Sequence, residues 1–346
     1  MFENLIGNEN AKDLLKKLVR GGRLPQSLLF EGRPGVGKRL FAIEMAKALV
    51  CTDLRDGLPC DECSACLRAA AFRYPKPDDR DAHREVIFSG HPDVGMIVPY
   101  NQTIYIDAIR SLEREANFRP YEARARFFVI DDAEKLSSVK DNSANALLKT
   151  LEEPAETTHI VLVTSRPLLL LSTIRSRCQA IRFGRISKDE ISRHLTNDLN
   201  YPSEDAALVA GLSRGSLGLA LGTDLEKFRS MRMRLLDVIT RCSRRDNFAV
   251  LLRASEELCD PKAKDDYAES LHILQALIHD VWTLKKKEKP EIVNFDLRRE
   301  LDELASGTES ERLVRWLSQI EELRENLNFN LNRKLATDAL FMGMAA

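Results

Sequence analysis

The sequence predicts an α/β domain built on a parallel sheet, followed by regions that are wholly helical. Three observations predict this. Short apolar runs alternate with segments of helical period as far as about residue 185. Strand signals then stop, and helical periodicity runs to the C-terminus. One strand also passes through a glycine-rich turn straight into a helix, at 27–50. With 346 residues the chain has room for two or three domains of about 150 residues. Gly and Pro, at 16 and 13 residues, are too few for a fibrous or low-complexity chain. Its 52 Lys+Arg and 53 Asp+Glu leave a net charge of −1, which excludes a protein that holds nucleic acid by bulk charge.

The elements follow in order. Residues 11–20 place apolar side chains at helical spacing and stop at Gly21-Gly22. SLLFEG (27–32) is a short buried strand and 38–50 a helix. The cysteine-rich stretch 51–66 reads as a loop, and the polar stretch 74–85, with two prolines, as a surface insertion. VGMIV (94–98) alternates toward strand, and 106–118 is a helix. RFFVIDD (126–132), HIVLVTS (159–165) and QAIRF (179–183) are further strands, with a helix at 143–154 stopped by Pro154. Such alternation puts helices on both faces of a parallel sheet. Short helices are expected at 187–195 and 203–213. Near the C-terminus Leu313, Trp316, Leu317, Ile320, Leu323 and Leu327 form one apolar stripe, as a helix in a bundle core requires. Neither a signal peptide nor a membrane-length apolar run is visible, so the expectation is a cytoplasmic protein with no membrane partner.

GRPGVGKR (32–39) sits between a strand and a helix, the context of a phosphate-binding loop. Gly32, Gly35 and Gly37 would let backbone N–H groups face a phosphate at a helix N-terminus, and Lys38 would reach the outer phosphates. The eighth position is Arg39, where the pattern has Ser or Thr. The hydroxyl that ligates Mg²⁺ is therefore missing, and a guanidinium has no lone pair to replace it. Asp131 ends the strand FFVIDD, placed to hold Mg²⁺ directly or through water. Asp132 stands where a longer Glu would activate water, and Glu134 could replace it only with a bend in the backbone. The plainer reading is an ordinary glycine turn and two solvated acids; the pairing of loop and acids disfavours it.

Four of the seven cysteines, Cys51, Cys60, Cys63 and Cys66, fall within 51–66. Two-residue gaps let neighbouring thiolates share one ion, and four thiolates suit a closed, structural tetrahedral Zn²⁺ site. An iron–sulfur cluster also takes four cysteines, but nothing else in the chain suggests redox work. Cys178, Cys242 and Cys259 read as core or incidental. Arg177, in the polar segment between two strands, could reach a nucleotide on a neighbouring subunit, although most surface arginines are only solvated.

Together these segments resemble the clamp-loader subunits of bacterial DNA polymerase III, which are AAA+ proteins. The carrying motifs are GRPGVGKR (32–39), the cysteine module 51–66, VIDDAEKLS (129–137), NALLKTLEEP (145–154), SRC (176–178), GSLGLAL (215–221) and NLNRKLATDAL (330–340). They span nearly the whole chain in the family's order. The departures are Arg39, Asp132 and Gly218, the last where motor subunits carry an arginine that touches nucleotide. Within the family this pattern looks most like the delta-prime type, a stator that hydrolyses little or no ATP. The alternative is an ATP-hydrolysing, gamma/tau-like motor subunit. The resemblance implies that Arg177 acts in trans on a neighbour's ATP, and that ATP/Mg²⁺ binding by this chain's own loop is weak or absent. It also implies a phosphate-sensing role for Thr164 or Ser165. The partners it implies are the motor and delta-like subunits of a hetero-pentamer, the sliding clamp and primed DNA. The expected domains are an AAA+ domain at 1–185, a helical lid at 186–226 and a helical collar at 227–346.

Overall fold

In the computed structural model, residues 1–22, 24–137, 142–246, 248–260, 266–286, 291–328 and 331–346 are described. Asn330, the first residue of NLNRKLATDAL, lies outside them. The described residues form two compact units. The first comprises 1–200 with 213–221, the second 201–212 with 222–346. The segment 186–226, expected as a lid, is thus divided between the two.

The first unit opens with α1 (Glu9–Arg20), β1 (Ser27–Gly32), α2 (Lys38–Val50) and α3 (Ser64–Ala70). Then come β2 (Ile87–Phe88), β3 (Val94–Ile97), α4 (Ile106–Ala116), β4 (Arg126–Ile130) and α5 (Ser143–Glu152). β5 (Thr158–Thr164), α6 (Ser172–Arg175), β6 (Gln179–Phe183) and α7 (Lys188–Asn197) follow. The strands form one six-stranded sheet in the order β2-β3-β4-β5-β1-β6. Five strands are parallel, as expected; β2 is a departure, an antiparallel edge pairing Ile87 with Met96 and Phe88 with Gly95.

The central strands β1, β4 and β5 alternate between two cores, because successive side chains leave opposite faces of the sheet. Leu28, Phe30, Phe127, Val129, Val161 and Val163 pack on one face with Phe41, Met45 and Ala46 of α2. Leu29, Phe128, Ile130, Ile160 and Leu162 pack on the other with Ile109 and Leu112 of α4 and Leu147 of α5. The helix α7 begins at a capping box, in which Ser187 and Glu190 satisfy each other's backbone N–H groups. One buried carboxylate in this unit lies beside a buried guanidinium. Asp93 accepts the backbone N–H groups of Tyr121, Glu122 and Ala123, and lies 3.6 Å from the equally buried Arg126.

The second unit is helical: α8 (Ser203–Leu212), α10 (Leu225–Arg244), α11 (Phe248–Leu258), α12 (Tyr267–Lys286), α13 (Arg298–Gly307), α14 (Ser310–Glu325) and α15 (Arg333–Ala345). The short α9 (Leu217–Gly222) precedes α10. Side-chain caps start two of these helices, Asp224 for α10 and Asn332 for α15. Leu313, Trp316, Ile320 and Leu323 of the apolar stripe are buried, with Leu317 and Leu327 packed against the same core. Trp316 is fully buried, and its indole N–H donates to the Met344 carbonyl at 3.0 Å. Trp316→Ala is expected to cost about 3–5 kcal/mol, read as a lower urea midpoint, because it leaves a large cavity and removes one of two hydrogen bonds to the Met344 carbonyl, the other coming from Arg312. Among the described residues no helix is long and apolar enough to cross a membrane.

Candidate functional site

Three adjacent strands, β4, β5 and β1, deliver their C-terminal ends to one edge of the sheet. That edge is where open α/β sheets place their sites. The glycine loop follows β1, Asp131 follows β4, and Ser165 follows β5. Gly35 and Gly37 turn the loop at φ +72° and +93°, a region that favours glycine. At Gly35 a Cβ would also collide with the Ser216 hydroxyl.

Lys38 is buried, and its ammonium is fully engaged. Nζ donates to the carbonyls of Gly32 and Arg33 at 2.7 Å each and to Ser165 Oγ at 3.2 Å. Burial pushes its pKa down, against the pull of Glu134, Asp131 and Asp132. Arg39 turns to Asp131, with Nη1 3.0 Å from Oδ2, and its guanidinium lies 5.3 Å from the ring centre of Tyr74. Burial raises the Asp131 carboxyl, and Arg39 pulls it back. Asp132 sits at φ +45° and pairs with Lys135 at 2.9 Å.

Glu134 reaches further into the site than its sequence position suggested. A 3₁₀ turn over Ala133–Ser137 supplies the bend. Its carboxylate accepts from Thr164 Oγ1 at 2.7 Å and from the Ser165 N–H at 3.3 Å. The hydroxyls of the two candidate sensors have different partners: Thr164 Oγ1 donates to Glu134, while Ser165 Oγ accepts from Lys38. Gly218 closes the loop from above, its N–H donating to the Gly35 carbonyl at 2.8 Å. A Cβ on Gly218 would stand 2.9 Å from Gly35 Cα, so only glycine permits this approach. Beside these groups lies a cavity of about 350 Å³, walled by Leu5, Ile6, Phe41, Ile186 and Leu217. A larger hollow of about 740 Å³ lies at the opposite ends of β1 and β5, near Pro25 and His159, and holds none of the loop's groups.

Arg177 lies away from this loop, one third exposed, just after α6. Nη2 is 2.5 Å from Glu152 Oε1, and Nη1 donates to the Thr173 carbonyl at 2.9 Å. The LEEP and SRC segments thus meet through one ion pair.

The four cysteine sulfurs lie within 4.8 Å of one another. Cys51 and Cys60 are 3.6 Å apart and Cys51 and Cys63 4.0 Å. A tetrahedral ion with metal–sulfur bonds of about 2.3 Å requires sulfurs about 3.8 Å apart, so the donor set fits one ion. The stretch expected as a loop ends in a helix. The Cys63 sulfur caps α3 by accepting the Cys66 N–H, and further backbone N–H groups reach the Cys51 and Cys60 sulfurs. Burial raises Cys51 and Cys66, whereas at Cys63 donated hydrogen bonds from Cys66 and Thr52 overcome burial and bring the thiol down to about 5. A bound dication would compensate what burial opposes. Cys178 and Cys242 are different: burial raises each to about 12, at Cys242 against the pull of Arg312, as for inert core thiols.

Tyr74 and Glu152 are the residues that sequence reasoning missed. The one lies in the supposed polar insertion and the other inside a helix, and only the tertiary fold pairs them with Arg39 and Arg177.

Residues 7–187, more than half of the chain, match the family model described as DNA polymerase III, delta subunit. The chain belongs to that family. Residues 232–342 match a second model, for the C-terminal part of the delta protein of the same polymerase. The delta-prime protein of Bacillus subtilis DNA polymerase III is 25% identical over 329 residues, 92% of this chain and 90% of that one. Its Escherichia coli counterpart is 28% identical over 346 residues, 98% of this chain and 92% of its own. The tau/gamma protein of Haemophilus influenzae reaches 31%, but over 62% of this chain and 29% of its own length. Within the family this chain is delta-prime-like: the delta-prime relatives match it nearly end to end, and the tau/gamma match is partial.

Proposed function

We propose that this chain is the stator of a DNA polymerase III clamp loader. It would sit in the cytoplasm in a ring of five with motor subunits and a delta-like subunit. That assembly would open a sliding clamp with ATP bound and set it on primed DNA. The chain's own part is to complete a neighbour's ATP site with Arg177, where a guanidinium stabilises charge on the phosphate in transfer. Residues 51–66 would hold one structural Zn²⁺, the ion that best suits four thiolates in a closed tetrahedron. The helical segments 186–226 and 227–346 would serve as lid and collar.

The observation that carries this reading is a contrast between two sites. At the chain's own loop, Arg39, Asp132 and Gly218 replace the hydroxyl, the longer acid and the nucleotide-touching arginine, and Lys38 is spent on carbonyls of the loop. Arg177 meanwhile keeps an exposed edge, steadied by Glu152. The full chain on its own is therefore expected to show no Mg²⁺-dependent ATP turnover. Sustained hydrolysis by the purified chain would reassign it as a motor subunit.

A further inference from the structure

We infer that Arg39 is the specificity-determining residue of the phosphate loop. Held between the Asp131 carboxylate and the Tyr74 ring, its guanidinium is a resident cation where a magnesium-bound nucleotide needs the divalent ion, and it shuts that ligand class out. The inference rests on the stator reading and supplies its physical cause.

Arg39 first removes a metal ligand, since a guanidinium offers donors and no lone pair. It also occupies the acid a metal would use. Asp131 is only 15% exposed, so its charge needs a partner, and Nη1 provides one at 3.0 Å. The neighbouring Asp132 is already paired with Lys135 at 2.9 Å. Both acids at the end of β4 are thus neutralised by cations of this chain. Mg²⁺ demands near-octahedral oxygen ligands and would have to displace Arg39 to find them.

An isolated Arg–Asp pair on a surface holds weakly. Here a second contact fixes it. The Tyr74 ring lies 5.3 Å from the guanidinium, within cation–π range, and stacks in turn on Phe72 at 5.9 Å. Phe72 packs against the same core as α2 and α3, so the brace comes from the arm that leaves the cysteine module.

The test is ATP binding by the full chain, titrated calorimetrically with Mg²⁺ and again with EDTA. The wild-type chain is expected to show no gain from magnesium. Arg39→Thr restores the hydroxyl and frees Asp131, so Mg·ATP affinity should rise by about tenfold or more, a gain that EDTA abolishes. Arg39→Ala frees Asp131 without adding a ligand and should gain less. Tyr74→Ala removes only the brace and should gain about two- to fivefold. No gain in either Arg39 variant, or a gain indifferent to magnesium, would overturn the inference while leaving the stator reading intact. ATP hydrolysis by the wild-type chain would overturn the stator reading and this inference with it.

Discussion

Removing the metal from the cysteine module is expected to destabilise the first unit more than any single core truncation. Metal binding in small four-ligand sites carries an apparent free energy of about 10–16 kcal/mol. The rest of this unit has its own core, so only part of that will appear, and a loss of several kcal/mol corresponds to a fall in Tm of the order of 10 °C. Cys66→Ser should reproduce the effect, because Cys66 is fully buried and its sulfur is one of the four that would hold the ion. The check pairs metal content by mass spectrometry with thermal unfolding, before and after chelation. One zinc per chain and a chelator-sensitive Tm are the expected results. A metal-free chain whose Tm ignores chelators would make these four thiols ordinary core. Iron with visible absorbance would replace zinc by a cluster.

Much of this was legible in the residues. The bounds of β1, α2 and β6 are those the apolar runs and the glycine loop indicated. Such runs are local signals, read from one strand or one turn at a time. The edge strand β2 was invisible because two residues, Ile87 and Phe88, are too short to show a period. Helix α3 was hidden for a different reason: its cap is the sulfur of Cys63, which spacing had marked only as a metal ligand. In the phosphate loop, the loss of the Ser/Thr hydroxyl was plain at Arg39, but not what Arg39 does instead. Its partners Asp131 and Tyr74 come from other segments, and only the tertiary fold brings them together. Glu134 reaches the site only with a bend in the backbone, and the 3₁₀ turn at Ala133–Ser137, which no local signal in the residues marks, supplies it.

Arg177→Ala has the other large expected effect, and it falls on the assembled complex rather than on this chain. The side chain is partly exposed and contacts Glu152 and the Thr173 carbonyl. Its loss should cost the fold little, since exposed ion pairs contribute about 0–1 kcal/mol. In the proposed role at a neighbour's nucleotide the same guanidinium would be worth far more. Arginine fingers supplied in trans accelerate phosphate transfer by about 10³–10⁵. One site of the ring should therefore fall nearly silent while the others continue. The most direct measurement is DNA-stimulated ATPase of the complex rebuilt with Arg177→Ala, beside proof that the variant chain is folded and assembled. The account predicts a clear loss of ATPase in an intact complex; undiminished DNA-stimulated turnover would contradict it.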